Sequence, residues 1–304
     1  MSTFKWFSSI VLATTMIPML PAEAVCPGSV ASVPLRMVNR YQMIVAVSLN
    51  NSGPYEFLLD TGTQITMIDV SLATALQLET HGTAVVAGVG SQSAASFSQL
   101  HQIAVGSHRV ADQKVLVYDL EELKSADLHI QGILGEDFLE HFDMLIDNAH
   151  RLLCLDEATT MREGIHGSHI ALLAPATEPG REPLAASLIV STHLTDGMRP
   201  VGLKLDSGTN SPFLYSTSKY MALGLFRGAS WHGIGANGKQ EAFMALPPQN
   251  VKIGSLELSR VVFLTLVGAQ KDSHTSEFDG LISTAKFKRV FISHNDHFAV
   301  LDPW

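Results

Sequence analysis

Short apolar runs broken by turn-forming residues dominate the chain. Met43 to Leu49 (MIVAVSL) and Ala186 to Leu194 (ASLIVSTHL) are apolar or alternating and of strand length. Each precedes a turn-rich stretch, Asn50-Asn51-Ser52-Gly53-Pro54 or Thr195-Asp196-Gly197-Met198-Arg199-Pro200. Each predicts a hairpin whose second strand ends on an aspartate, Asp60 or Asp206. Ile103-Ala104-Val105-Gly106 and Val251-Lys252-Ile253-Gly254 mark further strand–turn units. Helical pattern is confined to short pieces: Val70 to Leu78, Gly135 to Phe142, and Ser216 to Leu223. Asp156 to Pro183, with its Pro175 to Pro183 run (PATEPGREP), reads as an exposed linker holding one strand, Ile170 to Leu173.

The pattern occurs twice. Phe57-Leu58-Leu59-Asp60-Thr61-Gly62-Thr63 returns as Gly202-Leu203-Lys204-Leu205-Asp206-Ser207-Gly208-Thr209, with the aspartates 146 residues apart. Gly88-Val89-Gly90 returns as Gly233-Ile234-Gly235 at an offset of 145. Gly132-Ile133-Leu134-Gly135 returns as Gly280-Leu281-Ile282-Ser283 at an offset of 148. One D-[ST]-G turn is weak information, because its residues are common in turns. Two in register, each followed by the same two landmarks, imply a duplicated unit.

Composition narrows the class. The chain has 304 residues, 46% hydrophobic and 16% charged, enough to bury a large core and too apolar for wholesale disorder. The formal net charge is −9 and no basic run exists, so nucleic acid is not an expected partner. The first residues read as an address. Lys5 is followed by a mostly apolar run from Trp6 to Leu20, then by Ala22-Glu23-Ala24 with small residues at a cleavage site. That predicts a signal peptide over 1–24 and a periplasmic or secreted mature chain without a membrane span. In an oxidising compartment Cys26 and Cys154 can pair, and the sequence leaves pairing and non-pairing equally open.

An aspartate at the end of an apolar strand, followed by a hydroxyl residue and glycine, makes a tight turn. The glycine permits close approach of another backbone. If the two turns meet, their carboxylates cannot both ionise readily, and one proton is shared. Such a pair can activate a water: one carboxylate takes its proton while the other donates to a carbonyl.

Phe57 to Thr63 together with Gly132-Ile133-Leu134-Gly135-Glu136-Asp137-Phe138-Leu139 resembles the retropepsin-like aspartic protease domain, and the duplication resembles the two-lobed pepsin arrangement or a fused retropepsin dimer. The resemblance implies a mainly β fold of two similar barrel lobes with a cleft between them. It makes Asp60 and Asp206 the catalytic pair. Thr61, Gly62, Thr63, Ser207, Gly208 and Thr209 would support the two loops, with Thr61 and Ser207 cross-linking them. Gly88, Val89 and Gly90, and Gly233, Ile234 and Gly235, would form flaps. A polypeptide would lie extended in the cleft of a monomer, and no cofactor or metal is called for. The expected layout is a signal peptide (1–24), a first lobe (25–155), a linker (156–184) and a second lobe (185–304).

The chain also departs from that family. Gly135 becomes Ser283 in the second copy, and Glu136-Asp137-Phe138 becomes Thr284-Ala285-Lys286. No tyrosine, the residue of a pepsin flap, lies between Val85 and Phe97. Thr63 and Thr209 follow the D-x-G turns, and a hydroxyl donated to an ionised carboxylate lowers its pKa. This predicts an acidic activity optimum. His294 and His297 are three apart in strand-like sequence, which puts them on opposite faces and argues against zinc. The expected activity is that of an exported aspartic endopeptidase. The rival is a peptide-binding protein of the same fold that does not cut.

Overall fold

A computed structural model describes residues 26–39, 41–87, 92–124, 130–173, 187–195, 199–215, 230–234, 240–266 and 278–304. The expected signal peptide (1–24), the flap residues Gly88, Val89, Gly90 and Gly235, and the helix expected over Ser216 to Leu223 lie outside these residues.

The fold is mainly β, with one eight-stranded and one fifteen-stranded sheet. Both hairpins before the aspartates form. Gln42–Leu49 pairs antiparallel with Ser52–Leu59, and Ile189–His193 with Pro200–Asp206. Asn50 and Asn51 turn the first hairpin at φ of 48° and 67°, left-handed values that asparagine tolerates. Leu58 and Leu59, and Leu203 to Asp206, are buried on both faces because each strand runs in the sheet interior.

The duplication is visible in register. Leu59 pairs in parallel with Leu134, and Leu205 with Ile282. Met67 lies opposite both Ile133 and Leu116, as Phe213 lies opposite both Leu281 and Leu264. In the first lobe the strands close on themselves, because Gln42–Leu49 also pairs with Gln92–Val105. In the second lobe the equivalent of that long strand is split into Gln240–Ala245 and Gln249–Ile253. Pro247 and Pro248 sit at the break, where neither can donate to a ladder.

The lobes are joined by a sheet of two hairpins. Asp143–Asp147 pairs with Leu152–Asp156, and Phe287–Ser293 with Phe298–Pro303. Their inner strands meet antiparallel, Met144 opposite Ile292. Met144, Ile146, Val290 and Ile292 continue the core that runs through both lobes.

Two expectations need adjusting, the helices and the linker, and the open pairing of the cysteines is answered. The expected helices shrink to Val70–Ala75 and Glu136–Leu139, because the sheet recaptures the chain on either side. The linker is partly built structure. Ile170–Leu173 is a strand paired with Phe298–Pro303 and Ile189–His193. Ahead of it the 3-10 turn Thr160–Gly164 carries Arg162, which forms ion pairs with buried Asp143 and with Asp296. Cys26 and Cys154 form a disulfide, with Cα atoms 5.9 Å apart. Among the described residues, no helix is long and apolar enough to cross a membrane.

Candidate active site

The two D-x-G turns come together between the lobes. Asp60 and Asp206 are each 7% exposed. Asp60 accepts from the Gly62 amide (2.8 Å) and from the Thr63 hydroxyl (2.8 Å). Asp206 accepts from the amides of Gly208 (2.8 Å) and Thr209 (3.0 Å).

The loops grip one another reciprocally. The Thr61 amide donates to Ser207 Oγ, and the Ser207 amide to Thr61 Oγ1, both at 3.0 Å. The hydroxyls then donate onward, Thr61 to the Leu205 carbonyl (2.9 Å) and Ser207 to the Leu59 carbonyl (2.8 Å). All four bonds are buried, so neither turn completes its polar pairing without the other lobe.

Glycine is required by the same close approach. A Cβ built on Gly62 would lie 2.6 Å from Asp206 Cγ, and one on Gly208 would lie 2.4 Å from Asp60 Cγ. Each carboxyl therefore rests against the glycine of the opposite turn.

Burial and the neighbouring charge of Asp60 push Asp206 up to about 7. Lys204 and the amides of Thr209 and Gly208 pull the other way without cancelling this. The expectation that both threonine hydroxyls hold the carboxyls down is met in geometry only at Asp60. The Thr209 hydroxyl turns away to the Ser211 carbonyl (3.0 Å), and for Asp206 desolvation outweighs its two amide hydrogen bonds.

The short turn behind each loop differs between lobes. In the first, Asp137 Oδ1 accepts from the Thr66 amide and hydroxyl and from the Phe138 amide. Burial nevertheless raises Asp137 to about 6. In the second, Ser283 stands where glycine did. Its hydroxyl donates to the Thr209 carbonyl (2.6 Å) and accepts from the Ala285 amide. The second lobe is atypical in sequence, yet its loop is tied down.

Of the expected flaps, Gly233 and Ile234 lie in the strand Ser230–Ile234, which pairs with Gln240–Ala245. Cys26 and Cys154 sit in a separate apolar cluster with Leu145 and Met161. Among the described residues no group of three or more His, Cys, Asp or Glu side chains could hold a metal.

Three buried ionisable groups near the turns were not marked by the sequence as parts of this site. Lys204 is 2% exposed and donates to the Gly62 carbonyl at 2.7 Å. Glu136 Oε2 faces His294 Nε2 at 2.9 Å, and His294 Nδ1 donates to the Phe142 carbonyl at 2.6 Å. The one available signal was Lys204, a charge inside an apolar strand ending on Asp206.

The family model for aspartyl protease matches residues 45–138. The aspartyl protease match holds Asp60, Thr61 and Gly62 and runs through Gly132 to Phe138, the residues that build the first turn and its support. A retropepsin-like aspartic protease from Rickettsia conorii is among the similar solved structures, at 22% identity and a TM-score of 0.32, covering 41% of this chain and 90% of that one. No curated protein matches.

Proposed function

We propose that this chain is an exported aspartic endopeptidase that hydrolyses peptide bonds with a water activated by Asp60 and Asp206. The observation that carries the reading is the reciprocal packing of each carboxyl against the opposite D-x-G glycine, which supports two carboxyls acting on one site. The aspartyl protease match over 45–138 supports the same class.

The shared proton rests on Asp206, whose carboxyl is the reluctant one to ionise. Asp60, oriented by the Gly62 amide and Thr63 hydroxyl, takes a proton from the water as the oxygen attacks the amide carbon. Asp206 gives its proton to the carbonyl oxygen. The tetrahedral gem-diol then collapses: Asp60 gives its proton to the departing nitrogen as the C–N bond breaks, and a gem-diol hydroxyl returns its proton to Asp206 as the carbonyl re-forms, so the pair again holds one. The substrate would be an extended polypeptide adding backbone hydrogen bonds to neighbouring strands. The two lobes supply both aspartates within one chain, so a monomer suffices. The apolar segment at 6–20 and the Cys26–Cys154 bond support export into an oxidising compartment, periplasmic or extracellular.

The test is cleavage of casein from about pH 3 to pH 8 by the wild-type chain and by Asp60→Asn and Asp206→Asn. Cleavage lost in both folded variants is the expected result. Cleavage persisting in both would refute the assignment. A folded wild-type chain that binds peptide but never cuts would favour the non-catalytic binder.

A further inference from the structure

Lys204 and Asp206 are two residues apart on one strand, so their side chains leave the same face. A buried ammonium is costly unless compensated. Here the hydrogen-bond acceptor is the carbonyl of Gly62, across the lobe interface, in the turn that holds Asp60. The centroid of the Phe278 ring lies 5.8 Å from the ammonium. At the matching place before Asp60 the chain has Leu58, so one aspartate has a cation beneath it and the other has not.

We propose that Lys204 is a positioning residue of the aspartate pair: from the second lobe it fixes the Gly62 peptide of the first, and its charge sets the pH at which the shared proton departs. The inference rests on the two-aspartate reading above.

Among the described residues, the ionisable groups around Lys204 include Asp206 on its own strand and Asp60 in the turn across the interface. Glu136 stands on the short helix, with Asp137 and Glu140 beside it and His294 behind. Asp279 accepts from the Gly202 amide at the strand's other edge, and exposed His193 ends the paired strand. Lys204 pulls both Asp206 and Glu136 toward ionisation, against the burial that raises them. Two carboxyls, one from each lobe, thus feel its charge.

The Gly62 carbonyl and the Gly62 amide belong to consecutive peptide planes. Holding the carbonyl therefore limits the tilt of the turn whose amide donates to Asp60. Loss of Lys204 should both loosen that turn and remove a charge opposing protonation of Asp206. The second effect has a definite sign. The working pair carries one proton and loses it as pH rises. Without the cation the proton is held to higher pH, so the alkaline limb of kcat/KM moves upward.

The experiment measures kcat/KM for fluorescently labelled casein across pH with the wild-type chain, Lys204→Met, Lys204→Arg and Asp206→Asn, folding being checked by circular dichroism. Lys204→Met should move the alkaline limb up by about one pH unit. Lys204→Arg, which keeps the charge, should leave the limb in place while lowering the rate. An active wild-type chain whose limb is unmoved by Lys204→Met overturns this inference alone. If Lys204→Met does not fold, Lys204→Gln takes the same test, and a displaced limb in Lys204→Arg would also overturn it. An inactive wild-type chain, or cleavage surviving in Asp206→Asn, overturns the two-aspartate reading and this inference with it.

Discussion

Glu136 and His294 face each other at 2.9 Å with both side chains sealed from solvent, one from the short helix of the first lobe and the other from the end of a second-lobe strand. Burial raises Glu136, and the attraction of His294 does not cancel it. Burial opposes charge on His294, but the Glu136 carboxyl and the Phe142 carbonyl outweigh it and hold the imidazole above its ordinary value. In both directions the pair keeps its proton. Removing one partner strands the other. Glu136→Ala or His294→Ala should each cost about 3–5 kcal/mol, while a double replacement by apolar residues of similar volume should recover most of it. Urea unfolding of the three variants measures this; equal losses in single and double variants would contradict it.

Stability should fall as pH rises. Asp137, raised to about 6, and Asp206, raised to about 7, bind protons in the folded chain at pH values where the unfolded chain has released them. His294, also raised, contributes stability below its unfolded value that is lost as pH passes its folded one. All three effects have the same sign. Calorimetry should place Tm several degrees higher near about pH 5 than near about pH 8. Asp137→Asn should flatten the slope through the range between its unfolded and folded values. A Tm that climbs from acid to neutral would show these groups are not buried as described.

Thr61 and Ser207 should behave as one unit. Replacing either hydroxyl leaves buried amide and carbonyl groups unpaired, at about 1–3 kcal/mol for each orphaned group. Thr61→Val and Ser207→Ala should therefore each destabilise and slow cleavage, and the double variant should lose less than the sum. A double-mutant cycle on unfolding free energy reads the coupling. Strict additivity would mean the four bonds do not act together.

Gly208→Ala tests the contact between the turns. Its Cβ would overlap the Asp60 carboxyl, so the loops must part or the carboxyl must rotate. Cleavage should fall by about a hundredfold or more while the far-UV spectrum stays that of the parent. A variant of unchanged kcat/KM would show that the carboxyl is not held against this glycine.

Much of this was readable in the chain itself. The D-x-G turns, their supporting glycine segments and both hairpins depend on local chemistry, and one offset links them. The disulfide was an open choice, because the approach of Cys26 to Cys154 depends on how Ser32–Pro34 joins Leu152–Asp156. Lys204 with Gly62 and Glu136 with His294 join residues 142 and 158 apart, and only the docking of the lobes brings them together. His294 illustrates the point. As a metal ligand beside His297 it failed on strand geometry, yet its actual partner was a carboxyl in the other half. The Thr209 hydroxyl was misjudged because nothing in D-S-G-T fixes a rotamer, and Ser211 offers it a carbonyl.

The strand Phe298–Pro303 lies inside its sheet, with Phe287–Ser293 on one side and Ile170–Leu173 on the other. Both of these partners precede the middle strand in the sequence. The first barrel can close on its own pairings, but the joint between the lobes must wait until Phe298–Pro303 is available to pair. Until then Ile170–Leu173 lacks one neighbour, and the pairing of Met144 with Ile292 has no second hairpin behind it. The meeting of the two aspartate turns is thus fixed late, after each turn's own hairpin can already have formed.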